Sequence, residues 1–332
     1  MSEAYSILAE KAGGPEVLVK KPLDLTSLKP QAGQVLLRHQ AIGVNFIDIY
    51  HRSGLYGQHF PSPLGCEAAG VIEATGPDVK GFKVGDRVAI FTSKSGAYAT
   101  HRIVDAHGLV ALPDDISAET AAAVLLKGMT SWMLAEKCLA HALIQGEAPR
   151  VLVLAAAGGV GSLLVPWLKH LGVTVFAHTS TAEKAEKVKA NGADYITTLP
   201  YSELPDWIKK QNQGEAVHAV LDSVGAASWK SSLASLGKRG LWVSYGNASG
   251  PVPPLSPLAL AAAGSLYMSR PRLKDYVDNS VDLMTASQKL FYLLRKNILK
   301  AEINQRFPLT EAAKAHALIE SRKTTGSTIL IP

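Results

Sequence analysis

VLVLAAAGGVGSLL (151–164) is the stretch that decides the fold. Its first six residues are an unbroken apolar run, as expected of a parallel strand buried on both faces. Small residues follow, and a helix-length apolar segment then continues to Leu171. Ala156, Gly158 and Gly161 fall at the spacing of the G-x-G-x-x-G fingerprint, with alanine in the first place. Small side chains there let backbone N–H groups approach a pyrophosphate, and the helix N-terminus adds free donors and partial positive charge. A glycine pattern alone is weak evidence, and a tight structural turn is its plain alternative. With strand, turn and helix in that order, the pattern reads as dinucleotide binding. Pro166 sits inside the following helix, where proline usually costs about 3 kcal/mol, so early-turn tolerance or a kink is expected.

Strand and helix patterns alternate from there on. VTVFAH (173–178), DYITT (194–198), HAVLDSVG (218–225) and RGLWVSYGN (239–247) read as strands. TAEKAEKVKANG (181–192) and SELPDWIKKQNQG (202–214) read as the helices among them. Such alternation predicts an α/β fold with a doubly wound parallel sheet. Upstream, VLLRHQAIGV (35–44), AAGVIEATG (68–76) and DRVAIF (86–91) are β-rich and punctuated by glycine. DDISAETAAAVLLKGMTSWMLAEK (114–137) changes to helical spacing, with Asp115 or Ser117 as its cap. Beyond Ser265 the alternation stops; an amphipathic segment (281–300), QRFPLTEAAKAHALIESR (305–322) and a last strand, STILIP, close the chain. The N-terminal β-rich part and the C-terminal part must therefore share a second domain, which the length of 332 residues accommodates.

Composition removes several function classes. The net charge is +6, but no run of basic residues or set of interleaved aromatics marks a nucleic-acid surface. Only Cys66 and Cys138 occur, which excludes a disulfide framework and a four-cysteine zinc knuckle and suits a reducing cytosol. The longest apolar run, Leu258 to Gly264, is too short to span a bilayer, and MSEAYSILAEKAGG lacks the pattern of a signal peptide.

The end of the second strand bears on which dinucleotide is bound. NAD sites usually carry Asp or Glu there to hold the ribose 2′-hydroxyl. This chain has His178, Thr179, Ser180 and Thr181, then Lys184. Hydroxyls and a lysine suit a 2′-phosphate, so NADPH is the expected cofactor; the bland alternative for Lys184 is an exposed helical lysine.

AIGVNFIDIYHRSGLY (41–56), AAAGGVG (155–161), LDSVG (221–225), SYGNASG (244–250) and SRKTTGSTILIP (321–332) together resemble a known family. It is the zinc-free, zeta-crystallin-like quinone oxidoreductase branch of the medium-chain dehydrogenase/reductase superfamily, including the bacterial NADPH:quinone oxidoreductases. The resemblance runs nearly end to end. It implies a GroES-like catalytic domain over 1–127 and 266–332, a Rossmann NADPH-binding domain over 128–265, a cofactor in the cleft between them, and a homodimer. Asn45 and Tyr50 would face the nicotinamide. Gly158, Gly159, Val160 and Gly161 would line the pyrophosphate, and Ser180 and Lys184 would hold the 2′-phosphate. Ser223, Tyr245, Gly246, Asn247 and Ser249 would border the nicotinamide ribose, with Arg322 reaching in from the C-terminal tail. Two departures stand out. Leu199 falls where the family often has an adenine-side tyrosine, with Tyr201 two residues on, and a glutamine common after the glycine turn is replaced around Pro166.

PLGCEAAG (63–70) raises the question of a metal. Zinc-dependent relatives carry histidine before this glutamate and a cysteine earlier; here Cys66 and Asn45 take those places. A catalytic zinc wants three protein ligands, and adjacent Cys66 and Glu67 cannot readily both reach one ion. The expected state is a packed turn without a metal, in which Glu67 makes structural hydrogen bonds. An unassisted reductase of this kind suits acceptors that are already electrophilic. Quinones come first, and conjugated enals or enones are the alternative. A different class of alternative is an RNA-binding or structural crystallin-like protein that retains NADPH. Asn45, Tyr50, Arg52 and Tyr56 are the polar candidates beside the acceptor, with Tyr50 or a water as proton donor and Asn45 to orient the carbonyl; a structural hydrogen bond is the plain alternative for each, and Asp48 and His51 share the stretch.

Overall fold

The computed structural model describes residues 3–91, 94–141 and 148–332. The chain divides into two compact units, one of Met1–Leu126, Val277–Tyr292 and Ala301–Pro332, the other of Lys127–Tyr276 and Leu293–Lys300. The first opens with strands β1 (Tyr5–Ala9), β2 (Leu18–Pro22), β3 (Gln34–Val44), β4 (Ser62–Pro63), β5 (Glu67–Thr75), β6 (Arg87–Phe91), β7 (His101–Asp105) and β8 (Leu109–Ala111). The second holds β9 (Arg150–Val153), β10 (Thr174–His178), β11 (Tyr195–Thr197), β12 (Val217–Asp222), β13 (Leu236–Ser244) and β14 (Tyr267–Ser269). Strands β15 (Ile303–Pro308) and β16 (Ser327–Ile331) return to the first unit.

In the first unit a seven-stranded sheet runs β15-β16-β3-β5-β6-β8, with β7 also paired to β3. Strand β3 is its axis. Residues 34–38 pair with β7, residues 42–44 pair with β16, and β5 pairs antiparallel along the other edge. Its side chains alternate between buried and half-buried at first, then are buried throughout from Ala41 to Val44. Val35, Leu37, Ile42, Ala68, Ile72, Val88, Ile90 and Leu330 form the core there, so the last strand of the chain completes the sheet begun by the first third. A three-stranded sheet, β2-β1-β4, accompanies it. Helix α1 (Phe46–Arg52) starts directly after β3. Helix α2 (Ala118–Trp132) is capped by Ser117, whose hydroxyl accepts from the Thr120 N–H at 3.0 Å, so of the two expected caps Ser117 takes the role.

The second unit is the doubly wound sheet read from the alternation, in the order β11-β10-β9-β12-β13-β14, all parallel. Residues 151–153 of β9 are fully buried, as its apolar run requires. Strand β14 adds a sixth member beyond Ser265, where the sequence pattern had ended; it is three residues long and largely exposed, so it carries no apolar periodicity. The order reverses between β9 and β12, and ligands of such sheets bind outside the carboxyl ends of the strands at that reversal. Helix α3 (Gly161–His170) follows β9 and continues through Pro166. Helix α4 (Ala182–Ala190) follows β10.

Candidate active site

The polar candidates of the first unit cluster where β3 enters α1. Asn45 is the N-cap of α1, and its backbone N–H donates to Asp48 Oδ2 at 2.8 Å. Strand register places Gly43 opposite Glu67. A Cβ on Gly43 would run into the Glu67 carboxylate and the Ala122 carbonyl, so only glycine fits there. Glu67 is fully buried; it accepts from Asn45 Nδ2 at 2.8 Å and from the Leu126 N–H of α2 at 2.6 Å. The carboxylate beside Cys66 thus fastens strand to helix and orients the Asn45 amide. Tyr50 is 8% exposed and packs on Phe46 and on Tyr56, ring centroids 5.9 and 5.2 Å apart. Tyr56 is 42% exposed, and its ring also meets that of His51, centroids 6.0 Å apart.

Arg52 does not join this group, and its expected place beside the acceptor is corrected. Its side chain is buried and makes a paired contact with Glu320, Nη1 to Oε2 at 3.0 Å and Nη2 to Oε1 at 2.6 Å. Its Nε donates to the Gly13 carbonyl at 3.0 Å, and Nη1 also meets His316 Nδ1 at 3.0 Å. Burial, and then the Arg52 charge, lower the His316 pKa to about 3, so its ring is neutral. Nδ1 then accepts from Arg52, which leaves the proton on Nε2 to donate to Tyr98 Oη at 2.9 Å. The Tyr98 hydroxyl in turn donates to Asp48 Oδ2 at 3.3 Å. Arg52 is therefore the outer end of a buried relay that braces α1 from behind, and Asp48 is its inner end.

Cys66 lies at the turn before β5, buried, with Sγ 3.8 Å from His51 Nδ1. Burial, then the neighbouring Asp48, pushes the thiol well above the usual range, the opposite of a reactive cysteine. His51 is lowered by burial, and its Nδ1 also lies 2.9 Å from Ser95 Oγ. Asp48, His51 and Cys66 come together here, a grouping absent from the sequence analysis because the turn of Cys66 and the stretch of Asp48 and His51 meet only through the fold.

In the second unit the fingerprint turn has the conformation its small residues allow. Ala155 adopts a left-handed φ of 53°, a strained setting for a residue with a Cβ and a common mark of a functional turn. The Gly158 N–H returns to the Ala155 carbonyl at 2.9 Å, and the Ala156 N–H donates to the His178 carbonyl at 3.0 Å. A Cβ on Gly161 would strike the Ala156 carbonyl, so the last glycine lets α3 lie against the turn. The turn is thus a cradle that side chains would fill, and it fits a dinucleotide pyrophosphate. At the end of β10, Ser180 is exposed, and Thr181 caps α4 by accepting from the Lys184 N–H at 3.3 Å. Lys184 is half-buried, and burial lowers its pKa. His178 Nε2 donates to the Leu199 carbonyl at 3.0 Å while its ring packs on Tyr201, centroids 4.7 Å apart. Tyr201 therefore brings an aromatic ring to the end of β10, while Leu199 contributes a carbonyl.

The loops after β12 and β13 are joined. Tyr245 N–H donates to the Asp222 carbonyl at 2.8 Å, Ala248 N–H to Ser223 at 3.1 Å and Ser249 N–H to Val224 at 2.8 Å. Cβ atoms on Gly225 and Gly246 would strike the facing loop, which keeps both positions glycine. Ser223, Tyr245, Gly246, Asn247 and Ser249 are thereby brought to one place, although the Ser249 hydroxyl is occupied in bridging the Ala227 N–H and the Val224 carbonyl. Two organisers escaped the sequence reading. Buried Asp222 collects the Val224 and Gly225 N–H groups and the Ser228 and Ser232 hydroxyls. Arg270 donates to the Ser244 and Gly246 carbonyls at 2.8 and 3.1 Å. Arg322 sits in the first unit, just after helix 312–320, with a left-handed φ of 59°.

Residues 31–114 match the alcohol dehydrogenase GroES-like domain family, and residues 159–282 match the zinc-binding dehydrogenase family. The chain is 43% identical over 321 residues to a quinone oxidoreductase of Pseudomonas aeruginosa, covering 96% of this chain and 97% of that one. It is 37% identical to a 2-haloacrylate reductase of a Burkholderia species, covering 97% of each chain. The solved structure of Escherichia coli quinone oxidoreductase complexed with NADPH superimposes with a TM-score of 0.93 at 40% identity, covering 99% of this chain and 100% of that one.

Proposed function

Because the chain belongs to the quinone oxidoreductase family of the medium-chain dehydrogenases/reductases, we propose that it reduces quinones with NADPH and that the reaction needs no metal. The observation that carries this reading is the Asn45–Glu67 pair. Where zinc-dependent relatives place a sulfur ligand, this chain has an amide held by a buried carboxylate 2.8 Å away. Reduction of a ketone to an alcohol, or its reverse, gains from a Lewis acid on the oxygen. A quinone does not need one, since its reduction makes an aromatic ring.

NADPH, when bound, supplies the hydride. Gly159, Val160 and Gly161 offer backbone donors to its pyrophosphate, Gly158 lines it with its own N–H held by the Ala155 carbonyl, Ser180 and Lys184 receive the 2′-phosphate, and the joined loops with Ser223, Tyr245, Gly246, Asn247 and Ser249 shape the nicotinamide-ribose end. The partly exposed ring of Tyr56, packed on Tyr50, suits a planar acceptor. Tyr50 delivers the proton, and Asn45, fixed by Glu67, orients the carbonyl. Arg52 acts only by positioning α1. Reduction of the double bond of an enal or enone is the second reading, favoured by the likeness to 2-haloacrylate reductase. Offering a benzoquinone and a 2-alkenal in parallel separates the two. A kcat/KM at least tenfold higher for the quinone supports the first, and turnover confined to the alkenal replaces it with the second.

The reading extends to a homodimer. Strand β14 is the outer edge of its sheet, and it exposes Tyr267 (62%) and Met268 (42%). An apolar, unpaired edge is a surface that proteins usually cover. Light scattering is expected to give twice the chain mass, and a Met268→Lys variant to shift it towards the single chain. Among the described residues no helix is long and apolar enough to cross a membrane; both cysteines are free and buried, which suits a cytoplasmic, reducing setting.

A further inference from the structure

We propose that Asp48, His51 and Cys66 form a binding site for one thiophilic divalent cation, with zinc as the best match. Each residue offers one ligand atom, and these atoms all lie within 4.8 Å of one another. All three residues are buried, which separates the cluster from the exposed acidic groups that gather without a metal. Asp48 and His51 stand three residues apart on α1 and so share a face. Cys66 comes to them from the turn before β5. The Sγ to Nδ1 separation of 3.8 Å is close to the edge of a tetrahedron with ordinary zinc–sulfur and zinc–nitrogen bonds, about 3.5 Å. A thiolate, an imidazole and a carboxylate select zinc or cobalt over calcium or magnesium, which prefer oxygen alone.

The surroundings support the ligands as well. Asp48 Oδ2 is fixed by the Asn45 N–H at 2.8 Å and the Tyr98 hydroxyl at 3.3 Å. Outer contacts of this kind orient ligands and typically change metal affinity 10–100-fold when removed. His51 Nδ1 exchanges its contact with the Ser95 hydroxyl for the ion. The Sγ–H bond breaks as the sulfur–metal bond forms; the proton leaves to solvent and no redox change occurs. This ligand set is not that of the zinc-dependent relatives, because Asn45 is engaged by Glu67 and takes no part. Turnover with quinone needs no ion, so the test reads binding and its failure leaves the proposed activity untouched.

The probe is cobalt(II), added to chelator-treated full-length protein. Binding is followed by the thiolate-to-cobalt charge-transfer absorption, with the metal content measured separately. The expected result is a band that saturates at one cobalt per chain and is bleached by zinc. Cys66→Ser abolishes the band, His51→Gln and Asp48→Asn weaken binding at least tenfold, and Cys138→Ala leaves it intact. Folding of each variant is checked by circular dichroism; wild type and Cys138→Ala decide the matter if Cys66→Ser does not fold. Absence of the band in wild type, or its loss in Cys138→Ala, overturns the site. So does cobalt binding without thiolate absorption.

Discussion

Replacing Lys184 with alanine removes the cation assigned to the cofactor's 2′-phosphate and nothing assigned to the rest of it. A hydrogen bond to a charged group is worth about 1.5–3 kcal/mol. Lys184 is half-buried, with burial lowering its pKa, so water screens part of its attraction and the lower half of that range applies. About 1.5–2 kcal/mol corresponds to roughly a 10–30-fold rise in the KM for NADPH, at about 1.4 kcal/mol per tenfold change. The Thr181 cap uses the Lys184 backbone N–H, which alanine retains, so α4 should remain in place. NADH lacks the 2′-phosphate, and its KM should change less than twofold. The assay is steady-state oxidation of each cofactor with one saturating quinone, repeated at rising salt, where the wild-type preference for NADPH should shrink. An equal loss with both cofactors, or no loss with either, would refute the assignment.

Four further outcomes follow from the same geometry. Arg52→Ala strips a buried cation from Glu320 and His316 and should destabilise the protein by about 3 kcal/mol in urea unfolding, with the KM for NADPH unchanged in the folded fraction. Gly161→Ala drives a Cβ into the Ala156 carbonyl; overpacking of about 1–3 kcal/mol should lower the melting temperature and weaken NADPH binding in a fluorescence titration. His316 has a folded pKa of about 3, below its unfolded 6.5, so the unfolded chain binds the extra proton: its contribution is complete above the unfolded value and is lost as pH falls towards 3. Between pH 7 and 5.5 that residue alone should cost about 1.2 kcal/mol of stability, and His316→Gln should remove that share of the pH dependence. Tyr50→Phe should lower kcat with quinone at least tenfold, and unchanged turnover would exclude Tyr50 as the proton donor.

The parts legible in the sequence were those whose cause is local. The buried strand 151–153 and its glycine turn announce themselves because a strand covered on both faces needs continuous apolar residues. Ser117 as a cap, Lys184 near the end of β10 and the return of the C-terminal strand to the first sheet were readable in the same way or through the family likeness. What escaped depends on residues far apart in the chain. Arg52 reads as a polar residue in the motif stretch; only His316 and Glu320, supplied by a helix near the C-terminus, turn it inward. The sequence shows that Cys66 and adjacent Glu67 cannot readily share an ion, but not what the thiol faces instead: the register of β3 and β5 turns the carboxylate to Asn45 and leaves the thiol facing Asp48 and His51. Strand β14 is three mostly exposed residues recruited by the edge of β13, with no period of its own.

The measurement that bears most directly on the central claim is NADPH consumption by chelator-treated protein with a benzoquinone as acceptor, its metal content assayed in the same sample. Rapid turnover is expected, unaffected by chelation and at least tenfold less efficient with NADH. Turnover that disappears on chelation and returns with zinc would contradict that claim.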